Sequence, residues 1–289
     1  MQRRPAITVN AGATARSSPE QCFRPITNAP DAAFEPTHTL VVRERADATA
    51  GEVRRTNAAL WAVLDRGDRI DLWIDAALLG DDHPAVRDEI ASSFRRLDGG
   101  RFRGRLPACR DALESLLSLT SFHRFVSLER LEVRTADGLR LRCVPDHRTF
   151  ELDETAAGGV AAEIEASLTD TGAALLPART LAEWRSEGKR YAVRPPQFCV
   201  DREGRNEAGY CVELAALGEV SVDRERRRID LRWGGESTGG LLRRVADAIG
   251  PTPPSSFRFD DDETFRSVAA AFELVGEKLD VPVRTSGRR

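Results

Sequence analysis

One alternation occurs twice in this chain and ends each time in a helical pattern, and it limits the possible folds more than any other feature. Leu131-Glu132-Val133 and Leu139-Arg140-Leu141-Arg142-Cys143 alternate with period two, and Thr135-Ala136-Asp137-Gly138 lies between them. Two alternating runs joined by Asp-Gly predict a β-hairpin, because that dipeptide tolerates the positive φ of a tight turn. Thr149-Phe150-Glu151-Leu152 predicts a third strand, and residues 160–168 a helix with Val160, Ile164 and Leu168 four apart. The C-terminal half repeats this grammar. Val220-Ser221-Val222 and Ile229-Asp230-Leu231-Arg232-Trp233 flank a charged turn, Phe257-Arg258-Phe259 is a third strand, and 263–279 is a helix carrying Val268, Phe272 and Val275. Both third strands run into acids, at Asp153-Glu154 and Asp260-Asp261, where carboxylates suit a helix N-terminus.

The pattern reads as a degenerate tandem repeat of about 90–110 residues. Hairpin, strand and closing helix is also how a PH-like or GRAM-like barrel ends, a fold-level analogy with no sequence motif behind it. Upstream, Leu40-Val41-Val42 and residues 69–74 predict strands, and 50–64, 84–97 and 106–119 predict helices. Residues 190–200 and 210–217 predict two further strands. Thr169-Asp170-Thr171-Gly172 is the expected link between halves, followed by a short helix through Leu181 and Trp184. The expected class is α+β. It comprises a disordered tail over 1–37, where Pro5, Pro19, Pro25, Pro30 and Pro36 fall, mixed α/β halves over 38–170 and 171–281, and a tail over 282–289.

The chain has 289 residues, enough for about two domains. Charged residues are 31% and hydrophobic ones 41%, which excludes collagen-like and wholly disordered chains. No run of apolar residues predicts a membrane span. The formal net charge of −3 provides no global attraction for polyanions, so any such binding requires a local patch. Every basic residue except Lys189 and Lys278 is arginine, a bias expected of a GC-rich genome. Cys22, Cys109, Cys143, Cys199 and Cys211 are odd in number and lack a C-x-x-C spacing. They read as small buried hydrophobes in a reducing cytoplasm, although Cys199 and Cys211 could meet across a hairpin.

Chemistry-bearing motifs are sparse. Gly234-Gly235-Glu236-Ser237-Thr238-Gly239-Gly240 lies between a strand and a predicted short helix over 241–249, but matches no phosphate-binding fingerprint, and Glu236 opposes an anion. His38, His83, His123 and His147 lack metal-site spacing and read as solvated loop residues. Cys143 and His147 are four apart, yet Cys143 falls on the apolar face of its strand. No catalytic residue, metal or cofactor is expected. Two arginine clusters remain. Arg224, Arg226, Arg227 and Arg228 belong to a solvated turn. Arg95, Arg96, Arg101, Arg103 and Arg105 are interleaved with Phe94 and Phe102 in a Gly-rich loop between two helices, where guanidinium groups could meet phosphates and stack on bases.

The expectation is a non-enzymatic cytoplasmic binding or regulatory protein that acts through its surface on another protein. The alternative is a nucleic-acid-binding regulator using the arginine-rich loop 95–105. An enzyme with its site between the halves is the third reading.

Overall fold

The computed structural model describes residues 34–43, 48–119, 127–136, 138, 140–145, 149–154, 159–169, 171–202, 209–234 and 253–287. Residues 1–33, His123, His147, the stretch 235–240 and the helix expected over 241–249 lie outside the described residues. The architecture is α+β, and its sheets are open and largely antiparallel.

The N-terminal half is built on one eight-stranded sheet. Its strands are β1 (His38–Val42), β2 (Arg69–Ile74), β3 (Arg95–Arg96), β4 (Arg101–Arg105), β5 (Leu128–Arg134), β6 (Arg140–Val144), β7 (Thr149–Asp153) and β8 (Ala173–Pro177), in the order β3-β4-β2-β5-β6-β7-β1-β8. The helices are α1 (Ala48–Leu64), α2 (Ala76–Asp82), α3 (Pro84–Ser93), α4 (Arg110–Leu117) and α5 (Val160–Ser167). Leu60, Val63 and Leu64 of α1, Leu113, Leu116 and Leu117 of α4, and Val160 and Ile164 of α5 form one core with Ile70, Leu72, Leu131, Val133, Leu141, Phe150 and Leu152. Side chains alternate across a strand. Every second sheet residue therefore faces the helices, and the others form the opposite face.

The C-terminal half has two four-stranded sheets. One holds β9 (Ala182–Ser186), β10 (Lys189–Arg194), β11 (Gln197–Arg202) and β12 (Tyr210–Glu213) as a meander. The other holds β13 (Leu217–Asp223), β14 (Arg228–Trp233), β15 (Ser256–Arg258) and β16 (Val283–Ser286), with β16 parallel to β13. Helix α6 (Asp262–Lys278) contributes Phe265, Val268, Phe272 and Val275 to a second core.

The β1–β8 ladder serves both cores. Leu40 and Leu175 enter the first, and their neighbours Val41, Ala174 and Leu176 enter the second. Across the same seam Lys278 Nζ lies 2.7 Å from Glu165 Oε1, and Arg43 donates to the Asp280 carbonyl oxygen at 2.9 Å.

The acidic helix entries are local devices in both halves. Asp261 caps α6 by accepting from the Thr264 N–H at 2.7 Å, and Glu154 accepts from the Val160 N–H at 2.8 Å at the start of α5.

Several segments differ from expectation. The segment through Leu181 and Trp184 is strand β9 rather than a short helix, because Trp184 and Tyr191 pair across a ladder whose inner face is aromatic. Residues 190–200 form two strands, since Arg194 pairs with Gln197 and Pro195-Pro196 make the turn between them. The helix expected over 106–119 is confined to α4, and the one expected over 84–97 ends at Ser93. Strand β16 lies within 282–289, the stretch expected to be a tail. Cys199 and Cys211 face each other in the β11–β12 register and form a disulfide, whereas Cys109 and Cys143 are buried thiols. Among the described residues, no helix is long and apolar enough to cross a membrane.

A candidate polyanion-binding face

The arginine segment is not a loop. Arg95 and Arg96 form β3, Arg101 to Arg105 form β4, and the two strands pair antiparallel around Gly99-Gly100, both of which have positive φ. The interleaved Phe102 and Gly104 are a period-two signal. Phe102 is buried in the first core, and a Cβ on Gly104 would come within 2.6 Å of both Cys109 Sγ and the Phe94 ring. Consequently Arg101, Arg103 and Arg105 share the face turned away from the helices, as does Arg95, which pairs with Arg103. Arg96 pairs with Phe102 and has the opposite parity, so it leaves this group.

The registers extend this face across the sheet. One row runs Arg105, Arg69, Arg134, Arg140, Asp153, and the next runs Arg95, Arg103, Asp71, Glu132, Arg142, Glu151. In the third row Trp73 stands between Arg101 and Arg130. These rows place nine arginines against four carboxylates, an excess of five positive charges. The whole chain carries −3, so the remainder of the molecule holds a formal −8. Sequence composition concealed this segregation.

Two buried carboxylates organise the arginines. The Asp71 side chain is 1% exposed, and accepts from Arg103 Nε at 2.6 Å, Arg103 Nη2 at 3.0 Å and Arg101 Nη2 at 2.8 Å. Burial pushes the Asp71 carboxyl up, but the bonds from Arg103 and Arg101 outweigh it and hold the group below its ordinary value. Glu132 is bonded by Arg130 and lies 3.4 Å from Arg142 Nε and 3.6 Å from Arg134 Nη2. Each acid neutralises one guanidinium while orienting two or three, so Arg101, Arg103, Arg130, Arg134 and Arg142 are held against the sheet by Asp71 and Glu132.

The margin of the face near β7 behaves differently. Burial pushes Glu151 up against the opposing effects of Arg142 and Arg130. Burial also pushes Asp153 up, with Arg140 opposing and Glu35 adding to the rise. Phe34 lies over Arg142 with its ring centroid 4.1 Å from the guanidinium carbon. Beyond β7 the same side of the sheet becomes apolar at Val41, Ala174 and Leu176 and is covered by the second core.

Other candidates do not converge. His38 lies on β1 beside Thr37 Oγ1, and His83 lies between α2 and α3. Cys143 is buried in the first core. Among the described residues, no group of three or more His, Cys, Asp or Glu is placed to hold a metal ion. Arg224 pairs with Glu273 at 2.7 Å, and Arg228 with Asp230.

Sequence reasoning missed Arg69, Asp71, Trp73, Arg130, Glu132, Arg134, Arg140 and Arg142 as parts of one surface. Their parity was readable strand by strand; the strand order that assembles them was not. Comparison with protein-family models, with curated proteins and with solved structures finds no match to this chain.

Proposed function

We propose that this protein is a non-enzymatic binding protein whose working surface is the arginine face of the eight-stranded sheet, and that its partner is a nucleic acid. The observation that supports this reading is the excess of five positive charges along one face of the sheet, in a molecule whose remainder is acidic. Regularly spaced guanidinium groups suit a phosphate backbone, and binding there releases condensed counterions. A protein partner, the first expectation from the sequence, would have to present an equally dense array of carboxylates.

The test is a titration of protein stripped of nucleic acid, repeated over a range of salt concentrations. Affinity falls linearly in log–log with salt, at a slope of about 0.7 per phosphate contacted on a single strand. Arg95 and Arg105 are exposed. The double substitution Arg95→Ala, Arg105→Ala therefore reduces the slope by about 1–2 while leaving the thermal midpoint unchanged. An unchanged slope would remove the face from the reading.

Acidification tightens binding at constant ionic strength. Glu151 and Asp153 titrate above ordinary carboxylates, so they lose charge first as pH falls, while Asp71 keeps its charge. The positive excess thus grows as pH falls towards the ordinary carboxylate range, and the substitution Glu151→Gln flattens that rise. Affinity that weakens on this acidification would contradict the assignment.

A further inference from the structure

Among the described residues, Trp73 is the one large aromatic that the strands supply to this face. It occupies the outward position between Leu72 and Ile74, both of which are buried in the first core. Its own ring is packed against neither core and is partly exposed. The ring is flanked by cations on both neighbouring strands. The Arg101 guanidinium carbon lies 4.9 Å from its centroid and that of Arg130 4.6 Å. Arg101 is also tied to Asp71, and Arg130 to Glu132.

We infer that Trp73, between Arg101 and Arg130, is a base-stacking platform, so that the nucleic acid bound is single-stranded. This inference rests on the polyanion reading above and names the ligand class for the same face. A duplex hides the faces of its bases and can offer this surface only phosphates. A single strand offers phosphates and unstacked bases together, and aromatic rings set in a positive surface take both. On binding, a base stacks on Trp73 in place of one guanidinium, which turns from the ring and its carboxylate to the adjacent phosphate. The cation–π contact and the carboxylate bond are exchanged for a base stack and a charge-assisted bond to phosphate. Stacking tolerates every base, so the preference is for strandedness over sequence.

The experiment uses the full chain. Oligo(dT) and oligo(rU) of about 20 nucleotides and a mixed-sequence duplex of the same length are titrated at one salt concentration, following tryptophan fluorescence and anisotropy of labelled nucleic acid. The expected result is tighter binding of the single strands, quenching that disappears in Trp73→Leu, and partial retention of affinity in Trp73→Phe. Loss of a base stack weakens single-strand affinity by roughly 5- to 150-fold and leaves duplex affinity unchanged. The dT and rU arms distinguish DNA from RNA as the preferred strand. Thermal midpoints of the variants check the fold, which keeps its cores because Trp73 belongs to neither. Equal affinity for strand and duplex, or a Trp73→Leu variant that binds single strands as the parent does, overturns the stacking platform while the salt-dependent polyanion reading stands. No binding of any of these nucleic acids by the parent protein overturns both.

Discussion

Replacing Asp71 by asparagine lowers the unfolding free energy by about 3 kcal/mol and strengthens polyanion binding at the same time. The two effects have one cause. The carboxylate is 1% exposed and accepts three hydrogen bonds from Arg101 and Arg103. Asparagine keeps the shape and one acceptor oxygen but removes the charge that compensates two guanidinium groups. Breaking a buried pair costs about 3–5 kcal/mol because the partner charge stays behind. Here the two arginines are 27% and 30% exposed, so water recovers part of the loss and the lower end applies. The surface excess meanwhile rises by one positive charge, which raises affinity for a polyanion. The parent protein also loses this contribution in acid. The folded-state pKa of Asp71 is depressed, so its stabilisation is complete above the ordinary carboxylate range, near about pH 4, and disappears as pH falls through the depressed value. Glu151 and Asp153 have raised values and the opposite sign: their protonation favours the fold below the ordinary range, and that gain is lost as pH rises through the raised values. Urea denaturation of the parent and Asp71→Asn at neutral and acid pH checks both limbs. A variant as stable as the parent at neutral pH would show that Asp71 does not hold the arginines.

Much of the fold was legible from the period of the sequence. The β5–β6 and β13–β14 hairpins, α1, α5 and α6 fall where alternation and helical spacing place them, because each is decided by local pattern and by a nearby cap such as Asp261 or Glu154. The failures share a physical cause. Residues 101–105 lie after Gly99-Gly100 and carry three arginines, so they read as a loop; their strand is stabilised by β2, about 30 residues upstream, through a ladder no local window contains. Trp184 reads as helical until Tyr191 and Phe257 are placed around it. The candidate site was half legible for the same reason. Arg101, Arg103 and Arg105 are neighbours in sequence, but Arg130, Arg134, Arg140 and Arg142 join them only through the order β4-β2-β5-β6. Asp71 looked like an ordinary polar position of an alternating strand, and only its burial between two arginines distinguishes it.

The second large effect belongs to the other core. Trp184 is 5% exposed and lies 5.3 Å from the Tyr191 ring, 5.0 Å from Phe257, 6.0 Å from Phe198 and 6.5 Å from Phe272, so it joins β9, β10, β11, β15 and α6. Trp184→Ala leaves a cavity at the point where both small sheets meet the helix, and destabilises by about 3–5 kcal/mol. Trp184→Phe costs roughly half of that or less. The smaller ring keeps most contacts, and the Trp184 Nε1 proton, buried without a partner in the parent, is no longer present to be desolvated. Val41, Ala174 and Leu176 line this core from the same ladder whose Leu40 and Leu175 line the first. Unfolding the second core uncovers one side of β1 and β8, and the N-terminal sheet then loses its support at that end. Binding by the arginine face and the near-ultraviolet signal of the Trp184 cluster therefore disappear in a single denaturant transition, and Trp184→Ala moves both midpoints together. Two separated transitions, with nucleic-acid binding surviving the loss of the aromatic signal, would make the halves independent folding units and the shared ladder a contact between them.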